Sequence, residues 1–182
     1  MTMQFEFLIR LTHRRWALEI LGALAEENGA KFITLMNRLG LSRGGLSSAL
    51  KELVKLGLVM KNPGYGHPMR PEYILTPEGA LIAERYLQFR KSVKAADRPL
   101  LLKKWPLPIV AATGRKQQRF GDLTARLPGI TNRALALTLK DLQSHRWVER
   151  RLVDSYPPQP VYALTPSMQN MWLQISSLTK PA

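Results

Sequence analysis

The feature that most constrains the fold of this chain is an internal repeat. Many residues of the first half occur again, in the same order, about 89 positions later. A one-residue gap opens before Phe32 and closes before Leu46, and the order of the matches is otherwise kept. The matching pairs include Trp16 with Trp105, Phe32 with Phe120, Leu46 with Leu135, Tyr73 with Tyr162 and Thr76 with Thr165. Solenoid repeats are about 20–50 residues long. A repeat of this length in a 182-residue chain therefore predicts two copies of one small domain.

Helix and strand signals follow one another in a fixed order in the first copy. An apolar periodicity predicts a helix over residues 12–27. Phe32 is expected in a short extended segment. Thr34 is the predicted N-cap of a second helix over residues 35–39, and Asp122 takes the place of Thr34 in the second copy.

A third helix, a hairpin and a fourth helix complete the first copy. Ser42 is the predicted N-cap of a helix that runs to residue 56. Residues 59–61 and 72–75 flank a Pro/Gly-rich tip and predict a β-hairpin with a long loop. Thr76-Pro77 reads as an N-cap with proline at the first helical position, which predicts the start of the fourth helix.

The second copy repeats this order, with Thr131 in place of Ser42 and Thr165-Pro166 in place of Thr76-Pro77. Its first helix can hold its two prolines only in the first turn. Helix, short strand, helix, turn, helix and two-stranded wing is the order of a winged helix-turn-helix. The predicted fold is therefore mainly α with small β wings (α+β). We expect two winged helix-turn-helix domains in tandem, residues 1–97 and 98–182, joined by a long helix.

Several separated motifs of the second copy resemble the HxlR-type transcriptional regulators. They are Lys104-Trp105 and residues 119–123 (RFGDL), 127–131 (LPGIT), 139–142 (LKDL), 147–150 (WVER) and 161–165 (VYALT). The first copy is similar to both HxlR-type and MarR-type winged helices through Arg15-Trp16, the helix over 46–58 and residues 73–79. The resemblance implies a DNA-binding regulator whose relatives carry one winged helix per chain and dimerise through terminal helices. This chain departs from that pattern in carrying two winged helices and in lacking the cysteine that thiol-sensing members need.

The charge of the chain points to a polyanionic partner. Lys+Arg 27 against Asp+Glu 13 give a formal net charge of +14, and there is no cysteine for a disulfide or a zinc site. Residues 1–90 hold 12 basic and 8 acidic side chains (net +4), and residues 91–182 hold 15 and 5 (net +10). Double-stranded DNA is the predicted partner, ahead of a membrane surface. No apolar run approaches the ~18 residues of a membrane span. We therefore expect no membrane insertion and a cytoplasmic, nucleoid-associated location.

The third helix of each copy carries the candidates for base reading, because a recognition helix presents its exposed face to the major groove. In the first copy these are Arg43, Ser47, Ser48 and Lys51, opposite an apolar stripe of leucines. In the second copy they are Asn132, Arg133 and Lys140. The same patterns also fit ordinary solvated helix faces, and the repeat and the family resemblance favour DNA contact. Leu137 on the second face would touch either a thymine methyl group or another protein.

A second set of basic side chains is predicted to contact the DNA backbone or the minor groove from the wings and nearby segments. These residues are Arg70 beside Tyr65 and His67 at the first wing tip, Arg150 and Arg151 on the second wing, and Lys103, Lys104, Arg115, Lys116 and Arg119. Arg150 and Arg151 equally fit a charged strand edge that discourages strand pairing.

Apolar residues at heptad-like spacing predict packing seams on the fourth helix of each copy. The seams lie in helices 78–96 and 167–178, with Ile82, Tyr86, Phe89, Val93 and Ala96 on the first and Met168, Met171, Ile175 and Leu178 on the second. The two helices are expected either to cross within one chain or to form a homodimer.

The sequence favours a sequence-specific DNA-binding transcriptional regulator with two recognition helices. The three histidines show no metal-ligand spacing, and no nucleophile or phosphate-loop motif is present, so we predict no enzyme, no catalytic or metal residue and no cofactor. The alternative is a tandem winged helix of chromosome architecture or replication initiation, or a protein-interaction module.

Overall fold

The structure is a computed structural model that describes residues 5–62, 72–153, 156 and 158–179. The first unit contains α1 (Glu6–Thr12), α2 (Ala17–Glu27), β1 (Ala30–Lys31), α3 (Phe32–Leu39), α4 (Arg43–Lys55), β2 (Val59–Asn62), β3 (Glu72–Leu75) and α5 (Pro77–Ser92). A 3-10 turn (Ala95–Asp97) leads into the second unit. That unit contains α6 (Arg98–Leu101), α7 (Pro106–Thr113), β4 (Gln118–Arg119), α8 (Phe120–Arg126), α9 (Asn132–Ser144), β5 (Val148–Val153), β6 (Gln159–Leu164) and α10 (Pro166–Ser177).

The two units have the same sheet topology, which confirms the tandem winged helix-turn-helix fold. Each sheet is antiparallel and three-stranded, in the order β1-β3-β2 and β4-β6-β5. Lys61 lies opposite Tyr73 in the first sheet, and Arg150 lies opposite Tyr162 in the second. The predicted hairpins are therefore present in matching register.

A hydrogen bond to the N-cap side chain marks the starts of α4, α5 and α9. Ser42 Oγ accepts a hydrogen bond from the Gly45 amide at 3.2 Å, and Thr131 Oγ1 accepts one from Ala134 at 3.1 Å. Thr76 caps α5 in the same way through the Gly79 amide. Thr165 is the N-cap residue of α10 as predicted, but its hydroxyl donates to the Arg146 carbonyl at 2.8 Å instead of capping.

The prediction of a single helix over residues 12–27 is wrong in its boundaries. The chain instead forms two helices, α1 and α2, with a turn over residues 13–16 between them. The Thr12 hydroxyl lies 2.8 Å from the Leu8 carbonyl and 2.8 Å from the Lys104 carbonyl of the second unit. A threonine hydroxyl that bonds to a carbonyl four residues back competes with regular helix geometry. The turn lets α1 pack on α7 of the second unit.

The predicted N-cap at Thr34 is also wrong. The helix α3 already begins at Phe32, with Lys31 as its N-cap residue, so Phe32 is helical and not extended. The strand β1 is only two residues long, Ala30 and Lys31, so the following residue is free to start the helix. In the second unit Asp122 sits in the first turn of α8 and accepts a hydrogen bond from the Arg119 amide at 3.0 Å.

The first helix of the second unit, α7, forms the centre of that unit. Its prolines lie in the first turn as expected, with Pro106 at the first helical position. All eight residues of α7 are buried, which is typical of a helix that is apolar on every side. Trp105 and its counterpart Trp16 are half-buried and pack against the core.

The helices α5 and α10 hold the two units together. They are equivalent under the repeat, and they pack against each other within the single chain. The Arg85 guanidinium also donates to the Ser177 carbonyl at 2.9 Å. The seam side chains that are fully or almost fully buried are Ile82, Tyr86, Phe89, Val93, Met168, Ile175 and Leu178. These seven seam residues are thus covered without a second chain, whereas Met171 of the same seam is half-buried.

The long helix between the units is α5, and it ends four residues before the predicted residue 96. The helix α5 ends at Ser92, and Val93 is extended (φ −86°, ψ 128°) before the 3-10 turn. Ala96 is exposed and does not belong to the seam. No helix in the described ranges is long and apolar enough to cross a membrane.

Candidate nucleic-acid interface

The predicted reading residues of the first unit lie on one side of α4. Leu46, Leu50 and Leu53 are buried, and Arg43, Ser47 and Lys51 are exposed on the other side. Ser48, the fourth candidate, is half-buried. The Arg43 guanidinium carbon stands 5.9 Å from the centre of the Phe32 ring, which orients this side chain against α3. The helix-turn-helix thus presents a positively charged face at the start of α4.

A groove of about 310 Å³ separates α4 from the wing of the first unit. Ser47, Lys51 and Val54 line it from the helix, and Lys61 and Tyr73 line it from the strands. The Lys61 ammonium lies 5.8 Å from the centre of the Tyr73 ring. Lys61 was not among the predicted site residues. Its equivalence to Arg150 in the repeat is the signal that could have identified it.

The second unit presents an equivalent face on α9. Leu135, Leu139 and Leu142 form the buried side of the helix. Its exposed side carries all three predicted base-reading residues, Asn132, Arg133 and Lys140. Ala136 and Leu137 are exposed on the same side. Leu137 has 57% of its surface exposed, although it is large and apolar. The two units therefore offer the same backbone framework with different side chains.

The two arginines of the second wing lie on opposite faces of the sheet, because side chains alternate along a strand. Arg150 is opposite Tyr162, in the register that Lys61 and Tyr73 have in the first unit. Arg151 forms an ion pair with Glu149 on the other face. There it lines a cleft of about 480 Å³ together with Arg115, Lys116 and Gln169. The structure thus separates two residues that the sequence placed in one contact set.

The remaining predicted backbone contacts have distinct environments. Lys103 forms an exposed ion pair with Asp141 at 2.6 Å, and the Lys104 ammonium lies 4.4 Å from the centre of the Trp105 ring. Arg119 is exposed at the N-cap of α8. Arg70, with Tyr65 and His67 at the first wing tip, lies outside the described residues.

Glu19, Glu26 and Glu27 of the first unit form a network of polar contacts that links α2, α3 and α5. The Glu19 carboxylate accepts hydrogen bonds from Tyr86 at 2.5 Å and from Arg90 at 2.7 Å, between α2 and α5. Burial, reinforced by the Glu19 charge, raises the pKa of the Tyr86 phenol. Glu26 bonds Arg90 at 3.0 Å and, with Glu27, also holds Arg38, whose pKa the Glu27 hydrogen bond raises.

The recognition faces keep their positive charge. Among the described carboxylates, none lies within 4.0 Å of the charged groups of Arg43, Lys51, Arg133 or Lys140. Uncompensated cations on two exposed helix faces attract a polyanion at long range. Over the same described ranges, no group of three or more His, Asp or Glu side chains is arranged to hold a metal ion.

Comparison with known proteins gives two matches to one family. The family described as HxlR-like helix-turn-helix matches residues 11–96 and, a second time, residues 100–180. An uncharacterized HTH-type transcriptional regulator of Synechocystis is 33% identical over 66 residues, 36% of this chain and 49% of that protein. Another, YvaP of Bacillus subtilis, is 35% identical over 72 residues, 40% of this chain and 65% of that protein. The chain thus spans between about half and two-thirds of these relatives.

A crystal structure from Porphyromonas gingivalis, described as a transcriptional regulator of the MarR family, is also similar. It is 26% identical, covers 46% of this chain and 81% of its own, and superposes with a TM-score of 0.42.

Proposed function

The chain belongs to the HxlR-like helix-turn-helix family, and from this premise we propose that it is a transcriptional regulator that binds double-stranded DNA sequence-specifically. The helices α4 and α9 enter major grooves, and the wings lie along the backbone and minor groove. The observation that carries the proposal is the pair of exposed, uncompensated cationic faces opposite the buried stripes of α4 and α9. The regulator acts on DNA in the cytoplasm.

The packing of α5 on α10 supports binding of both recognition helices to one DNA molecule. Two recognition helices that enter successive major grooves on one DNA face must lie about 34 Å apart, one helical turn. Because Ser47 and Ser48 are replaced by Ala136 and Leu137 in the repeat, the two half-sites have different sequences. The preferred site is an imperfect repeat. A homodimer of the chain would need a surface outside the buried seams.

Selection from a random DNA library, followed by mobility shifts at several salt concentrations, tests the proposal. We expect an enriched motif with two unlike halves about 10 base pairs apart. Affinity should fall steeply with salt, because each neutralised phosphate adds ~0.9 to the logarithmic slope. Equal affinity for every sequence would refute a specific regulator and would leave a basic protein that coats DNA.

A different class of function is favoured by one observation. Leu137 and Leu152 of the second unit are 57% and 64% exposed, and apolar surface of this kind also suits a protein-interaction module. In that case the selected DNA motif would contain only the half read by α4. Substitutions on α9 would then leave DNA affinity unchanged.

A further inference from the structure

We infer that Leu137 reads the 5-methyl group of a thymine in the half-site bound by the second unit. The inference rests on the proposed function and names a chemical group that one of the two units recognises. It makes Leu137 a residue that determines sequence preference, in addition to the polar side chains of the same face.

The position of Leu137 on α9 is the first support. Its side chain lies almost diametrically opposite the stripe of Leu135, Leu139 and Leu142, at about 100° per residue. Arg133 lies four residues before Leu137 and Lys140 three residues after it, so both cations flank it on the same face. The leucine is 57% exposed, so its apolar surface is available for contact.

The chemistry of the DNA groove matches this arrangement. Phosphates border the major groove, and the thymine methyl group is the apolar group that base edges display there. A leucine between two cations can therefore approach the groove floor while Arg133 and Lys140 approach acceptors on the bases or the walls. An apolar protein surface would instead desolvate these two cations without supplying opposite charges, which is unfavourable. Charge complementarity thus favours DNA as the occupant.

The internal repeat provides the contrast. Ser48 stands at the position equivalent to Leu137 and is half-buried in the first unit. A serine hydroxyl donates or accepts hydrogen bonds at several bases, whereas leucine has no polar group to offer. The second half-site should thus hold a required thymine where the first half-site holds none, and this difference orients the protein on its operator.

Thymine-to-uracil substitution in the selected operator tests the inference, because uracil lacks only the methyl group. Each thymine of the second half-site is replaced in turn, and affinity is measured by fluorescence anisotropy. The unsubstituted protein should lose about three- to fivefold in affinity at one position, the effect of burying one methyl group. Leu137→Ala should bind the thymine and uracil probes equally, since the two changes remove the same contact.

A matched control separates this effect from a general change in the protein. Leu173 is also 57% exposed, and it lies on α10, a helix that packs mainly on α5 and α7. Leu173→Ala should keep the full thymine preference. Circular dichroism of both variants should match the parent protein, because alanine suits an exposed helix position.

The outcomes distinguish the two levels of the proposal. Failure to select any motif would refute the regulator itself. A motif with two halves, but with no uracil-sensitive position in the second half, would refute only the thymine contact. Leu137→Ala could also lower the affinity for the thymine and uracil probes by the same factor, so that the preference for thymine remained. That result would overturn the inference as well.

Discussion

The Nδ1 atom of His145 lies 2.6 Å from a carboxylate oxygen of Asp97, which joins the segment between the two units to the end of α9. The second oxygen of the same carboxylate accepts a hydrogen bond from the Trp147 indole at 3.1 Å. Asp97 is thus held on both oxygens, and its side chain is only 14% exposed. One carboxylate thus fixes the connecting segment against the end of α9 and the residue that precedes β5.

Replacing Asp97 should therefore destabilise the chain. Asp97→Ala leaves the His145 and Trp147 donors without their acceptor, and we expect a loss of about 1–3 kcal/mol in the free energy of unfolding. Urea denaturation measures it. The control is Asp141→Ala, which removes an exposed carboxylate paired with Lys103 and should lower stability by less than about 1 kcal/mol. Equal effects of the two variants would contradict the structural role of Asp97.

Tyr86→Phe should lower stability at neutral pH by about 1.5–3 kcal/mol, because the phenol donates to a charged carboxylate. Burial raises the pKa of Tyr86 in the folded state above its unfolded value near 10. The folded state therefore retains a proton that the unfolded state releases, so the stabilisation is present below about pH 10 and declines at higher pH.

Urea titrations between pH 8 and 11 check this sign. The stability difference between the parent protein and Tyr86→Phe should shrink above about pH 10, by up to about 1.4 kcal/mol per pH unit. Tyr156, which is fully exposed, provides the matched control as Tyr156→Phe. A difference that stays constant across the range would show that Tyr86 titrates normally in the folded protein.

Gly79→Ala should destabilise the first unit even though alanine favours helices. A Cβ atom at Gly79 would overlap the Leu58 carbonyl oxygen and lie 2.8 Å from its carbon, so backbone would have to move. We expect a loss of about 1–3 kcal/mol or more in thermal and urea unfolding. Gly121 in α8 has no atom within 4 Å of the same position, so Gly121→Ala should leave stability unchanged or slightly raised. Unchanged stability of Gly79→Ala would rule out this close contact.

Arg43→Ala should relax the sequence preference at one base pair of the first half-site. Arginine contacts guanine with two hydrogen bonds, and the loss of that discrimination amounts to about 1–3 kcal/mol. Competition binding against operators with single base changes measures it. Lys91→Ala, which removes one charge from the end of α5, should keep the preference at every position. A uniform loss of affinity in Arg43→Ala would assign Arg43 to phosphate contact instead.

Lys104→Ala, unlike Arg43→Ala, should lower the affinity for DNA without changing the sequence preference. A phosphate contact carries no sequence information, so binding to all sequences should weaken alike and the salt slope should fall by about 0.9. The Lys104 ammonium also lies over the Trp105 ring, so Lys104→Ala removes this contact as well. The melting temperature is therefore measured in parallel, to separate a loss of stability from a loss of DNA contact. A change in the preferred motif would show that Lys104 contacts bases.

The parts of the fold that depend on local chemistry could be predicted from the sequence. Ser42 and Thr131 cap helices through amides three residues later, and this pattern is visible along the chain. The break after Thr12 could not be predicted, because it accompanies packing of α1 on α7 and a contact with Lys104 of the second unit. The start of α3 at Phe32 likewise depends on the pairing of β1 with β3, which ends after two residues of β1.

The recognition faces followed from helical periodicity, since a buried leucine stripe determines the exposed side. The carboxylate partners of individual basic side chains could not all be predicted in this way. The pairing of Lys103 with Asp141 depends on the packing of two distant segments, which no spacing rule provides. Arg151 and Glu149, by contrast, lie two residues apart on one strand and therefore share a face. Lys61 was overlooked because a single lysine on a strand does not by itself indicate a DNA contact. Only its equivalence to Arg150 in the repeat points to one.

The pairing of α5 with α10 inside one chain also changes how this protein can diversify. In a regulator built from two identical subunits, every substitution in the reading helix appears twice and must suit both halves of the target. Here α4 and α9 are encoded separately, so each can change without altering the other. The packing of α5 on α10 already holds the two helices in one chain, so under the proposed function occupancy of a DNA site does not require two chains to associate first.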